Sequence, residues 1–353
     1  RKITYYASKI GLVILFGMFI VIGYERTHSA EIGFQVTDHY INHRSVDGVY
    51  AQSGMNPEVK LFLREVMKAD GQGKAASNGK ALLFLHGGTT PSLIAYDMGC
   101  ENCSVMRHFA NAGWDTFALD FEGFGLSTPQ PSVENPKKFP TSPAPTNTEV
   151  TVANVARAVE FIRELRHVDK IYLFGWSMSA SRPAPLYAIQ SPGKVAKLVL
   201  FAPAYRSLGD NESMRYQADG MEGVKIMSRG PLDYGSYSKA LVPGLAKQFP
   251  GARVPRVQTP GQEEQSVPIP LGWMIDAARA KVQFDASRLT VPTLVIRGSK
   301  DTFWGSSEDS RQLVQDLGSS EKKYVEIPDG SHVMHIEIHN QAFFQEVLKF
   351  LGE

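Results

Sequence analysis

The sequence predicts an α/β protein: a mostly parallel central sheet flanked by helices, with a long segment inserted between two of its core strands. Three observations predict it. Short continuous apolar runs, among them Ala81 to Leu85, Trp114 to Leu119 and Ile171 to Phe174, each end in glycine or a polar residue, the pattern of strands buried on both faces of a parallel sheet. Segments with a helical period lie between these runs, which gives the order strand, helix, strand. The stretch from Ala204 to Ala286 then breaks the rhythm, and it is far longer than the few residues that usually connect sheet elements.

The chain has 353 residues, 43% hydrophobic and 21% charged, with a formal net charge of +1. This composition supports a sizeable core and excludes a mainly disordered chain. Near-neutrality and the lack of a Lys/Arg-rich run argue against nucleic acid as a partner. Arg1, Lys2 and Lys9 precede an uncharged apolar stretch, residues 10–24, which meets Glu25, Arg26 and the small pair Ser29-Ala30. That layout is expected of an export signal or membrane anchor. Both forms stay open, and residues 10–24 would be the site of any membrane association. The protein is accordingly expected to be exported, either secreted or periplasmic, or anchored by this segment. The cysteines, Cys100 and Cys103, form a C-x-x-C pair, read as structural or inert, that could close a local disulfide in an exported chain or be redox-active or metal-binding in the cytosol. With no second cysteine pair, a metal is not expected there.

Four regions follow: 1–30 as the leader, 31–203 as the first part of the core, 204–286 as a lid or cap, and 287–353 as the rest of the core. Glu58 to Lys68 alternates and is followed by a Gly/Ser/Asn stretch, the pattern of a strand entering a hairpin. The connector from Thr128 to Asn147 carries six prolines and is expected to be surface loop without regular structure. Thr146, with Glu149 three residues on, offers a capping box to a helix whose apolar face runs from Val152 to Leu165. Leu198 to Phe201, Thr293 to Ile296 and Tyr324 to Ile327 read as further buried strands, and helical patterns cover Arg311 to Leu317 and Phe343 to Leu351.

The chemistry-bearing residues sit at strand ends. Gly175-Trp176-Ser177-Met178-Ser179 directly follows the strand Ile171 to Phe174, and a nucleophile on a sharp strand-to-helix turn needs small residues two places either side of it. Pro183 and Pro185 predict a kinked or delayed helix after that turn. His86-Gly87-Gly88 and Asp120-Phe121-Glu122-Gly123-Phe124-Gly125-Leu126-Ser127 each follow a buried run. Arg297-Gly298-Ser299-Lys300-Asp301 follows another, and Ile327-Pro328-Asp329-Gly330-Ser331-His332 follows the last.

Together these resemble the α/β-hydrolase superfamily, in its serine-nucleophile, esterase- or lipase-like branch. The elbow is similar to the G-x-S-x-G of that family with serine in place of the last glycine, and the order Ser, Asp, His is the family's. The resemblance spans about residues 58 to 203 and 287 to 353. It implies Ser177 as nucleophile, His332 as general base and Asp301 as the acid that orients the imidazole, with Asp210 in reserve. It also implies an oxyanion hole from the backbone N–H of Met178 and that of Gly88 or Thr89, and a structural role for His86. His335 and His339 lie near His332, but the glycine-containing loop before His332 favours it. Trp176 and Trp304 would contact substrate or simply pack.

The expected activity is hydrolysis of carboxylic esters or related acyl compounds through an acyl-enzyme, with a small acyl molecule as substrate. That chemistry requires no metal and no organic cofactor. A carbon–carbon hydrolase or an acyltransferase on the same triad stays open, as does a catalytically silent binding protein of this fold.

Overall fold

The computed structural model describes residues 24–31, 33–70, 74–97, 104–134, 136–139, 141–206, 226–229, 267–301, 303–336 and 340–352. The apolar leader, both cysteines, Asp210, His339 and most of the expected lid lie outside the described residues. No described helix is long and apolar enough to cross a membrane.

Among the described residues, nine strands form one sheet. In chain order they are β1 (Tyr24–Glu31), β2 (Phe34–Arg44), β3 (Glu58–Lys68), β4 (Ala81–Leu85), β5 (Asp115–Leu119), β6 (Ile171–Trp176), β7 (Val195–Phe201), β10 (Thr293–Gly298) and β11 (Lys322–Ile327). A separate antiparallel pair, β8 (Ile226–Arg229) with β9 (Val267–Pro270), lies between β7 and β10 in the chain. The spatial order is β1-β2-β3-β5-β4-β6-β7-β10-β11. Strands β1, β2 and β3 join antiparallel, β3 pairs antiparallel with β5, and every pairing from β5 to β11 is parallel.

The continuous apolar runs form the middle of this sheet because both of its faces are covered. β4, β5 and β10 are buried at every position. Two hydrophobic clusters flank the sheet. One holds Leu83, Phe117, Leu173 and Leu200 against Val155, Val159 and Ile162 of helix α5 (Thr148–Arg166). The other holds Phe84, Phe174 and Phe201 against Phe109 of α3 (Val105–Asn111) and Phe343 and Val347 of α10 (Gln341–Leu351).

The described structure departs from the sequence reading in four places. β3 does not pair with β4. The chain reverses locally at Ala69–Ala75 and then passes to the far side of β5, because the fully apolar run of β4 belongs at the sheet centre. The proline-rich connector is not all surface loop: Pro131 opens a one-turn helix, α4 (Pro131–Glu134), and Gln130, Ser132, Ser142 and Thr146 are buried. Proline suits a first helical position, where its missing N–H is not needed. The cap of α5 is Asn147, whose side chain accepts from Val150 N at 3.0 Å. Thr146 is diverted into a left-handed conformation (φ 58°) by hydrogen bonds to Glu122 O and from Gln130 Nε2. Finally, residues 24–31, read as the small-residue end of a leader, pair along β2 as the edge strand.

Strands β7 and β10 are neighbours although residues 202–292 separate them. Within that interval the described segment from Ile269 onward docks on the core through α8 (Gly272–Arg279). Gly272 N donates to Pro145 O at 2.9 Å, and Asp276 Oδ2 accepts from Thr148 N at 2.7 Å.

Candidate active site

Strand β6 delivers Ser177 at the C-terminal end of the parallel sheet. Its backbone lies at φ 58°, ψ −113°, a region that a residue with a side chain occupies only when the surroundings hold it there. They do: Ser177 N donates to Phe201 O at 2.9 Å, tying the turn to β7. A Cβ on Gly175 would stand 2.9 Å from backbone atoms of Ser179 and Ala180, so the turn closes only with glycine there. Ser179 fits the other flank because its Oγ donates to His86 O. The helix after the turn is broken as its prolines demand. α6 (Met178–Ser181) stops at Arg182, and α7 (Pro183–Gln190) restarts with proline at its first position.

The loops after β10 and β11 carry the other two side chains and are laced together. Ser299 N donates to Ile327 O, Lys300 N to Gly330 O, and Asp329 N to Ser299 Oγ, each at 2.9 Å. Gly298 and Gly330 touch backbone to backbone, with no space for a Cβ on Gly298. The result brings three distant residues into one line. His332 Nε2 lies 2.9 Å from Ser177 Oγ, and His332 Nδ1 lies 3.0 Å from Asp301 Oδ2. With Nδ1 protonated and donating to Asp301, Nε2 is free to accept from the serine hydroxyl. Phe303 N donates to Asp301 Oδ1 at 3.1 Å. Ser177 is 7% exposed, Asp301 6%.

The turn after β4 packs against the elbow, where His86 O accepts from Ser179 Oγ. His86 is buried; its Nδ1 donates to Gly87 O at 2.7 Å and its Nε2 accepts from Phe121 N at 3.3 Å. Burial pushes it down to about 4, so it is a neutral strut of the turn. The Asp120 carboxylate ties its own loop, accepting from Leu126 N at 2.8 Å and from Ser92 N at 2.7 Å. Burial pushes it up to about 6 against those hydrogen bonds.

Of the two tryptophans read as substrate contacts, Trp176 packs in the core cluster beneath the site. Its Nε1 donates to His332 O at 2.9 Å, and its ring meets His335 at 4.6 Å and Phe201 at 6.4 Å. Trp304 sits with Met178 and Trp273 in the opposite cluster, its Nε1 donating to Ser181 Oγ at 2.8 Å. His335 is 1% exposed among Tyr96, Trp176 and Phe201. Burial, then His332, lowers it to about 3.

Three residues that the sequence reading did not single out shape the site. Ser181 Oγ donates to Ser177 O and accepts from Ala204 N and Trp304 Nε1, joining the elbow to β7 and to the acid loop. Trp273 of α8 covers Gly88 so closely that a Cβ there would overlap the indole. Arg297 in β10 reaches Asp301. A charge inside an otherwise apolar buried run was the signal for the last, since a buried guanidinium needs a partner. An open groove of about 830 Å³ lined by Asn147, Thr148, Arg182, Asp276 and Arg279 runs along α5, α7 and α8, and does not touch Ser177, Asp301 or His332.

A family model described as the alpha/beta hydrolase fold matches residues 80–222. Solved structures with this architecture include a thioesterase domain from the curacin biosynthetic pathway, 17% identical over 82% of this chain and 95% of that one, TM-score 0.58. An esterase from Thermogutta terrifontis with malate bound is 16% identical over 89% and 99%, TM-score 0.55. A soluble variant of monoglyceride lipase from Saccharomyces cerevisiae, in complex with a substrate analog, is 14% identical over 83% and 92%, TM-score 0.59. No curated protein matches the sequence. The chain has the α/β-hydrolase fold, and its residues 80–222 match the model of that family.

Proposed function

We propose that the protein is a serine hydrolase that cleaves carboxylic esters through an acyl-enzyme, with Ser177, His332 and Asp301 as its catalytic residues. The observation that carries this reading is the hydrogen-bonded line from Ser177 Oγ through both ring nitrogens of His332 to Asp301. Ester chemistry is favoured by the esterase and the monoglyceride lipase among the similar folds.

In this reaction Ser177 Oγ attacks the ester carbonyl carbon while its proton passes to His332 Nε2. Asp301 holds the imidazole in its productive tautomer and stabilises the imidazolium that forms. The negative charge on the tetrahedral intermediate falls to the backbone N–H of Met178 and that of Gly88 or Thr89. The imidazolium returns its proton to the departing alkoxide, leaving the acyl group on Ser177. Water then attacks the acyl carbon, giving its proton to the same nitrogen, and the second tetrahedral intermediate collapses as the imidazolium returns that proton to the departing Ser177 Oγ, releasing the carboxylic acid. The described segment 269–286 would cover this site, with Trp273 its contact beside Gly88.

The test is turnover of p-nitrophenyl butyrate by the purified chain. The expected result is measurable hydrolysis that falls by about 10³-fold or more in Ser177→Ala and in His332→Ala. A wild-type rate equal to that of Ser177→Ala would contradict the proposal.

A further inference from the structure

We infer that Arg297 is a positioning residue of this site: its guanidinium fixes the Asp301 carboxylate and, through it, the working pH range of His332. The inference rests on the triad reading above. Arg297 Nη2 lies 3.1 Å from Asp301 Oδ2, the same oxygen that His332 Nδ1 reaches at 3.0 Å. One carboxylate oxygen therefore meets two groups, a permanently charged guanidinium in an ion pair and an imidazole that becomes charged only during reaction.

The rest of the guanidinium is held just as firmly. Nη1 donates to Pro203 O at 3.1 Å, and Nη2 donates to Asp301 O at 3.4 Å and to Trp304 O. The side chains of Arg297 and Asp301 are both 0% exposed. The arginine thus binds the end of the loop after β7, the backbone of the acid loop, and the acid itself. A buried guanidinium is expensive to desolvate, and the carboxylate that offsets it is Asp301. Other groups facing Arg297 electrostatically are Asp309, Tyr324 and Glu326, and burial lowers the arginine more than these raise it.

Two consequences follow. Without the guanidinium the carboxylate loses an anchor and rotates more freely, so the imidazole is less well oriented. Without its positive charge, Asp301 also attracts a proton on His332 more strongly, and the imidazole becomes a cation, unable to act as a base, at higher pH. Arg297 would in this way keep the site active toward acid. The other groups facing His332 are His335, held neutral by burial, and the rings of Phe303 and Trp176 at 5.0 and 5.7 Å, so none of them supplies a compensating charge.

The experiment measures the rate of covalent labelling by a fluorophosphonate from pH 4.5 to 9 for the full chain. The variants are Arg297→Gln, Arg297→Lys, Asp301→Asn and Arg297→Gln/Asp301→Asn, with folding checked by circular dichroism. For Arg297→Gln we expect a plateau reduced roughly tenfold to a hundredfold, the scale of a misplaced catalytic group. The acid limb should move up by about half a pH unit or more. Arg297→Lys, which keeps the charge, should hold the limb near wild type while lowering the plateau. In the Asp301→Asn background, Arg297→Gln should change the rate little, because its effect is carried by that carboxylate.

A lowered plateau with an unmoved acid limb, or effects of the two substitutions that multiply, overturns the inference and leaves Arg297 a purely structural rivet. If Arg297→Gln is unfolded, Arg297→Lys decides: a limb displaced upward although the charge is retained overturns it. Labelling of the wild type that survives Ser177→Ala overturns the triad reading itself, and is distinguishable from every other result.

Discussion

Gly88 marks where single atoms decide the geometry of the site. A methyl group there would collide with the Trp273 indole, so Gly88→Ala should lower stability by about 1–3 kcal/mol. Thermal unfolding should show the loss, and Trp273→Ala in the same chain should recover part of it. Equal melting temperatures for Gly88→Ala and wild type would mean that the indole moves aside freely. At this scale the placement of a residue was readable wherever it sits in a motif at a strand end. Ser177, Asp301 and His332 stand at strand ends, in the order the fold imposes, and the structure brings them within hydrogen-bonding distance. Trp176 and Trp304 were not readable in the same way, because a tryptophan beside a nucleophile has two faces and only packing shows which one is used. Trp273 and Ser181 carry no local signature: their partners lie far away in the chain.

Among the elements, the start of α5 shows why caps are assigned by geometry. Thr146 and Asn147 both precede an apolar helical period, and either could cap. Asn147 does so, while Thr146 spends its hydroxyl on Glu122 O and on Gln130. Asn147→Ala should therefore destabilise the fold by about 1 kcal/mol, as loss of a cap usually does, measured by urea denaturation with an unchanged slope. No change in the midpoint would return the cap to Thr146. Strands β4 to β7 and β10 were legible as apolar runs because a parallel sheet buries both faces; β11, read as another buried strand, is only half-buried because it is the sheet's edge. β1 and β2 were not legible, since the outer antiparallel strands mix polar and apolar residues, as in Phe34-Gln35-Val36-Thr37-Asp38. The Pro183/Pro185 break was legible, because proline removes a donor wherever the helix would use one.

For the whole molecule, buried ionisable groups set the response to pH, and they oppose one another. Glu122 is fully buried and pushed up to about 7 by burial, with Asp47 adding to the effect and a hydrogen bond from Ser45 working against it. A carboxyl raised in the folded state binds its proton more tightly there than when unfolded, so stability is greatest below about 4.5 and declines as pH rises toward about 7. His86 and His335, lowered to about 4 and about 3, act in the other sense: their contribution is full above the unfolded value near 6.5 and is lost as pH falls. Single substitutions expose the parts. Glu122→Gln should match wild type in unfolding free energy near pH 4.5 and exceed it at pH 8 by up to about 3 kcal/mol, a gain that raises its melting temperature there. A constant offset at both pH values would contradict a raised Glu122. The mostly parallel sheet was legible from its apolar runs, whereas the order of its strands and the β8–β9 pair were not, because the short apolar patches of residues 204–286 fix no pairing partner.

The central claim is that Ser177 is the activated nucleophile of this chain. It is tested most directly by reacting the purified protein with a fluorophosphonate and locating the adduct by peptide mass spectrometry. The account predicts one adduct on the peptide containing Ser177, absent in Ser177→Ala and formed far more slowly in His332→Ala. An adduct on another residue, or equal labelling of wild type and His332→Ala, would contradict it.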